Sequence, residues 1–294
     1  MRASLPEFQS VIIGEALTLR SHPEFKAARN VFARRYVSVL KNNQILIHMA
    51  TDEVRQVVGA YVLDRHFSHS PGDPSSGLTV SDVQAFCTSH ALAGHNRIGT
   101  LLNLLRESGH LRQRKEAHDR RIKRLEATPA AIAVSKKLLT PYLLALSLLE
   151  QSSHAISQLE ADDALLVGIV QFSNRYFLAH GSLVDLVPDL RLFMARNAGY
   201  EILLKLISTD LHGEVATDRT VHFHYGATAD YFGVSRVHVR RLIEDAEKAG
   251  YVKLHAPGGR AVEIHPSLTE MIDNFTALQL ALLLQGVKHS GVPA

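Results

Sequence analysis

Apolar positions along much of the chain recur three and four residues apart, the spacing of helices that bury one face. In the stretch before Gly250, Val239, Leu242, Ile243 and Ala246 fall at i, i+3, i+4 and i+7. Ser235 stands where an N-cap belongs, and Gly250 where a glycine ends a helix. Upstream, Ala227 to Phe232 predicts a short helix and Gly233-Val234 the turn between the two. Downstream the period changes to two. Tyr251 to Leu254 and Ala261 to Ile264 alternate as strands around the turn Ala256-Pro257-Gly258-Gly259. A long helix rich in Leu and Ala is predicted from about Leu268 to Gln285. Helix, turn, helix and hairpin together make a winged helix.

The same order is predicted earlier in the chain. Thr79 or Ser81 caps a helix through about Cys87, and Ser89 to Gly94 forms the turn. The next helix turns Ile98, Leu101, Leu102 and Leu105 inward and stops at Gly109. A charged hairpin follows from Leu111 to Leu125. Helices are predicted from Ala130 to Leu139 and from Pro141 to about His154, with Thr140-Pro141 as the N-cap and N1 pair that restarts the second.

Landmarks recur at a near-constant offset. Arg35-Tyr36 returns as Arg175-Tyr176, Ala60-Tyr61 as Gly199-Tyr200, and Ser108-Gly109-His110-Leu111 as Ala249-Gly250-Tyr251-Val252. Pro129 and Pro266 each precede a long helix. These spacings predict two copies of a unit of about 140 residues. The expected fold is mainly α with short β-hairpin wings: two tandem winged helix-turn-helix units plus long interface helices. The first unit spans 1–154, with its helix-turn-helix at about 79–109 and wing at 111–125. The second spans 155–294, with the corresponding parts at about 227–250 and 251–264.

Composition narrows the partners. At 294 residues the chain has room for two domains. No apolar run approaches the roughly 18–20 residues that cross a bilayer, and the first twenty residues lack a signal-peptide pattern, so a cytoplasmic protein without membrane contact is expected. One cysteine excludes an internal disulfide framework. The formal net charge is only +3 but unevenly placed. Residues 1–150 hold 20 Lys and Arg against 13 acids, while residues 151–294 hold 12 against 16. Within 95–124 there are nine basic residues and three acids, which points to one basic surface suited to a polyanion.

At the first hairpin the sequence resembles a known family. Asp119-Arg120-Arg121-Ile122-Lys123-Arg124-Leu125-Glu126-Ala127-Thr128-Pro129 is similar to the DxR wing and following threonine of MarR-type transcriptional regulators. Leu78-Thr79-Val80-Ser81 resembles the family's helix start, and Glu107-Ser108-Gly109-His110-Leu111 its recognition-helix exit. The second copy fits a general winged helix, and its wing has Gly258-Gly259-Arg260 in place of the aspartate motif. Members of the family are homodimers of chains of about the repeat length. The resemblance therefore implies a single-chain pseudo-dimer whose flanking helices form the shared interface. It also implies that Arg121 enters a minor groove with Asp119 orienting it.

The candidate DNA contacts follow from position. On the second recognition helix, Arg236 and Arg240 lie one turn apart opposite the apolar stripe, with Val237, Arg241 and His238 beside them. Arginine suits guanine O6 and N7 in the major groove. The matching residues of the first copy are His95, Asn96, Arg97, Thr100 and Asn103, where Asn suits adenine and Thr a thymine methyl. Its wing adds Arg112, Arg114, Lys115, Arg120 and Arg121, and the second wing adds Arg260. The repeated pairs Arg35, Tyr36, Arg175 and Tyr176, with Tyr61 and Tyr200, mark a candidate pocket for a small-molecule effector between the lobes.

Other chemistry finds little support. The 17 histidines include His222 with His224 and His66 with His69, but none stands at zinc spacing with Cys or Glu. Neither a phosphate loop, a nucleophile elbow nor an HExxH motif is present, so no enzyme, metal or cofactor is expected. The expected function is a sequence-specific double-stranded DNA-binding transcriptional regulator, monomeric or weakly dimeric. Two rivals remain: a plasmid-type replication initiator with two winged helices, and a tandem winged-helix scaffold that binds proteins.

Overall fold

A computed structural model describes residues 5–41, 43–70, 73, 76–116, 121–150, 154–210 and 220–291. The fold is mainly helical with two small antiparallel sheets. Helices α1 (Leu5–Ser21), α2 (Phe25–Leu40), α3 (Gln44–Ala50) and α4 (Glu53–Phe67) lead into α5 (Val80–Ser89) and α6 (His95–Glu107). A ribbon of β1 (Leu111–Lys115) and β2 (Lys123–Ala127) follows, then α7 (Pro129–Leu149). The second half runs α8 (Ala155–Ala161), α9 (Ala164–His180), two short 3₁₀ turns, α10 (Arg191–Met194) and α11 (Gly199–Asp210). It closes with β3 (Thr220–Val221), α12 (Tyr225–Phe232), α13 (Arg236–Lys248), β4 (Val252–Ala256), β5 (Ala261–Ile264) and α14 (Pro266–His289).

The order of elements repeats, and so does their packing. Within the first half α2 lies along α7, and within the second α9 lies along α14. Across the halves α4 packs on α9 and α11 packs on α2. The flanking helices exchange in the same sense, α1 against α14 and α8 against α7. The same pairings thus recur in both directions between the first and second halves of the chain. One continuous apolar core fills this interface, from Phe32 on α2 to Leu280 on α14, both fully buried. A smaller core, including Val58, Val83, Ile98, Leu102 and Leu125, sits beneath α5, α6 and the first ribbon.

Local chemistry accounts for the element boundaries. Thr79 caps α5 in a reciprocal box, its Oγ1 accepting the Asp82 amide at 3.2 Å while Asp82 accepts the Thr79 amide at 2.8 Å. Ser235 caps α13 by accepting the His238 amide at 3.1 Å. Gly233 ends α12 with a φ of +66°, a left-handed turn that glycine makes without a Cβ penalty.

Two expectations are corrected. Thr140-Pro141 does not restart a helix, because α7 runs unbroken through Pro141 to Leu149. The proline removes one N–H and crowds the carbonyl four residues back. The helix nonetheless continues because Pro141, Leu143, Ala145 and Leu146 are buried against the interface. Thr140 turns its hydroxyl to the Lys136 carbonyl at 2.9 Å. The Thr-Pro pair that does open a helix is Thr128-Pro129, which starts α7. Unbroken, α7 becomes the single helix among the described residues that is long and apolar enough to cross a membrane by length and composition, although Lys136 and Lys137 interrupt its apolar run. It packs along α2, α3, α8 and α14.

The second correction concerns β3. This two-residue strand was not anticipated, and it joins β5 to make the second sheet three-stranded, in the order β3-β5-β4. In the first half its counterpart is a single bridge from Leu78 to Leu125.

Candidate nucleic-acid interface

Helix α13 is held on its apolar side by Val239, Leu242, Ile243 and Ala246, all at 0% exposure. Its opposite side carries Arg236, Val237, Arg240 and Arg241 to solvent. Arg236 and Arg241 have no ion-pair partner among the described residues, while Arg240 lies 3.6 Å from Glu244. Asp245 turns away to Arg196 and to Lys248, so it offsets none of the outer arginines. His238 departs from the sequence expectation. It is half-buried, and its Nε2 lies 2.8 Å from the Asn197 carbonyl, which directs the ring at the neighbouring loop and not outward.

Helix α6 is seated in the same manner by Ile98, Leu101, Leu102 and Leu105. His95, Asn96, Arg97, Thr100 and Asn103 are exposed. Arg97 pairs with Asp52 at 2.5 Å, and Thr100 donates to the Asn96 carbonyl at 3.0 Å. Asn103 Oδ1 accepts from Arg106 at 3.2 Å. This face is polar and carries less net charge than α13.

In the first ribbon Leu111 pairs with Ala127 and Arg114 with Arg124. Two of the basic residues of the ribbon are neutralised internally. Arg112 meets Glu126 at 2.6 Å, and Arg124, with a side chain 11% exposed, meets Glu116 at 2.7 Å. Arg114, Lys115 and Lys123 stand exposed without an ion-pair partner among the described residues, and Arg121 is exposed beside them. Asp119 and Arg120 lie outside the described residues, and with them the expected orientation of Arg121 by Asp119. In the second ribbon Arg260 is exposed and its Nε donates to the Pro257 carbonyl at 3.3 Å. Gly259 is required at that turn, since its φ is +78° and a Cβ there would fall 2.2 Å from the Phe223 carbonyl oxygen.

The expected pocket divides. A cavity of about 370 Å³ opens at the interface of the two halves, and Tyr36, Tyr176 and Tyr200 line it together with Tyr142 and Gln279. Tyr200 donates to Gln279 Oε1 at 2.9 Å, and Gln279 Nε2 reaches Tyr142 at 3.3 Å. Arg35 and Arg175 are exposed and do not line the cavity, because a residue adjacent in a helix points about 100° away from its neighbour. Tyr61 stacks on Phe86 at 3.9 Å, in the smaller core.

The sequence reading missed Tyr142, Gln279 and the carboxyl behind them. Glu201 is 3% exposed, and burial pushes it up to about 8, opposed only by a hydrogen bond to its own backbone. Burial also raises Tyr36, Tyr142 and Tyr200. A lone charge before the apolar run Ile202-Leu203-Leu204 was the available signal.

His222 and His224 have ring centroids 4.2 Å apart. Among the described residues no group of three His, Cys, Asp or Glu side chains is placed to hold a metal ion. Cys87 is fully buried, and burial raises its thiol. Comparison with known proteins finds no matching family model, no matching curated protein and no matching solved structure.

Proposed function

We propose that the chain is a cytoplasmic, sequence-specific double-stranded DNA-binding transcriptional regulator. In this reading it consists of two MarR-like winged-helix units acting as a pseudo-dimer within one chain. One observation carries the reading. Helices α6 and α13 each follow a helix and a short turn, each precede an antiparallel ribbon, and each turn a polar face outward, within halves that pack reciprocally. Helices so mounted enter a major groove with side chains at base edges. Phosphates then supply most of the affinity, through the first ribbon, and the helix faces supply the readout. The cavity suits a small effector in size. Among the described residues no lysine or arginine lines it, so a neutral, largely apolar molecule matches its wall better than a carboxylate.

Gel shifts of the full chain on genomic fragments at several salt concentrations test the reading. A discrete complex that survives excess random DNA is expected, and equal competition by random and bound fragments contradicts sequence specificity. The same titration reads the ribbon. Arg114→Ala with Lys115→Ala removes two exposed cations that hold no ion pair among the described residues. Each lost phosphate contact lowers the log–log salt slope by about 0.9. The double variant is therefore expected to flatten the slope by about one to two units and to weaken specific and random DNA alike. An unchanged slope and affinity would make these residues a solvated hairpin.

A further inference from the structure

The first turns of α6 and α13 are joined by a polar bridge that crosses between the two halves of the chain. Arg97 on α6 donates to Asp52 Oδ2 at 2.5 Å, and Asp52 caps α4 by accepting the Arg55 amide at 3.1 Å. The preceding residue, Thr51, donates its hydroxyl to Asn197 Oδ1 at 3.2 Å, and its carbonyl accepts the Ala198 amide at 3.5 Å. The Asn197 carbonyl then meets His238 Nε2 on α13 at 2.8 Å. Next to it Arg196 pairs with Asp245, a second tie to the same helix. Both corners are firm. Thr51 is 7% exposed, and Ala198 is fully buried with a φ of +56°, a conformation that alanine keeps only where its surroundings impose it.

We infer that this bridge sets the separation and relative rotation of the two reading helices, and with them the half-site spacing that the protein accepts. The inference rests on the DNA reading proposed above. One base-pair step shifts the second half-site by about 3.4 Å along the duplex and by about a tenth of a turn around it. The middle of the bridge, where the Thr51 hydroxyl and carbonyl meet Asn197 and Ala198 at hydrogen-bond distance, has less slack than that step. Thr51, Asp52, Asn197 and His238 are thus positioning residues, and His238 reads no base. Thr51 and Asn197 are the members to test, because neither is a candidate DNA-contacting residue and their side chains meet each other at the middle of the bridge.

Two readouts separate the bridge from the DNA reading. Spin labels at Thr100→Cys and Arg241→Cys report the distance between the helices without DNA, and Cys87 is buried and escapes labelling. A single narrow distribution is expected in the parent. Thr51→Val with Asn197→Ala is expected to broaden it, while Thr51→Ser and Asn197→Asp, which keep the donor and the acceptor, leave it narrow. Site selection with unlabelled protein, from half-sites spaced at single-base-pair steps, is expected to return one spacing for the parent. For the Val/Ala variant it should add the neighbouring spacings. An equally narrow distance distribution in the Val/Ala variant overturns the bridge. A broadened distribution with unchanged spacing selection overturns its role in spacing. If the parent selects no DNA sequence, the DNA reading fails, and the label distances still decide whether the bridge holds the helices.

Discussion

Replacing Glu201 with glutamine should abolish a large pH dependence of stability. The buried carboxyl is raised from 4.5 to about 8 by its burial, and among the described residues no cation offsets it. Below pH 4.5 it is neutral in both folded and unfolded states, so it imposes no penalty. As the pH rises, the unfolded carboxyl ionises while the buried one keeps its proton, so unfolding is increasingly favoured. Above about pH 8 both forms are ionised and the loss is complete. At about 1.4 kcal/mol per unit of displacement, the full loss is on the order of 4–5 kcal/mol. Glu201→Gln keeps the shape of the neutral acid and removes the titration. Urea denaturation at pH 5, 7 and 9 is expected to show a steep decline for the parent and a flatter curve for the variant, with the variant more stable at pH 9. Parallel curves would mean that the carboxyl is not buried as described.

The second large effect concerns specificity. Arg236→Ala is expected to lose about 1–3 kcal/mol of discrimination at one base pair if the contact to guanine is bidentate. That is roughly a five- to 150-fold change by the same factor of about ten per 1.4 kcal/mol. Arg240→Ala should lose less, because Glu244 at 3.6 Å already offsets part of its charge. Random DNA should be affected much less by either change, since phosphate contacts remain. Competition binding against sites substituted one base pair at a time measures both. Full retention of base preference by both variants would leave these arginines as solvated charge.

Much of this architecture was legible because periodicity changes where structure changes. The shift from three-and-four spacing to alternation marks the end of α13 and the start of β4 at Gly250. Thr79 and Ser235 are short polar side chains just before apolar stripes, and both cap helices. What failed depended on distant partners. A proline is a local breaker, so the continuity of α7 became visible only once Leu143 and Leu146 had a partner to bury against. The pair Ala60-Tyr61 lies midway along α4 whereas Gly199-Tyr200 opens α11, so that landmark shares its tyrosine but not its place in the helix. β3 has two residues and takes its identity from β5.

The site shows the same division. The outward faces of α6 and α13 follow from their buried faces, but Arg97 and His238 are held by residues 45 and 41 positions away. Arg112 and Arg124 are matched by acids across their own ribbon. A count of basic residues therefore overstates the charge available to a duplex.

In the proposed function one chain supplies both halves of a DNA-binding pseudo-dimer. Light scattering of the protein on its selected fragment, with a footprint of the same complex, tests it most directly. One chain per duplex is expected, protecting two unlike half-sites centred about one helical turn apart, roughly 34–36 Å. The half-sites should differ because His95-Asn96-Arg97 faces one and Arg236-Val237 the other. Two chains on a strictly palindromic site, or no protected site at all, would contradict the account.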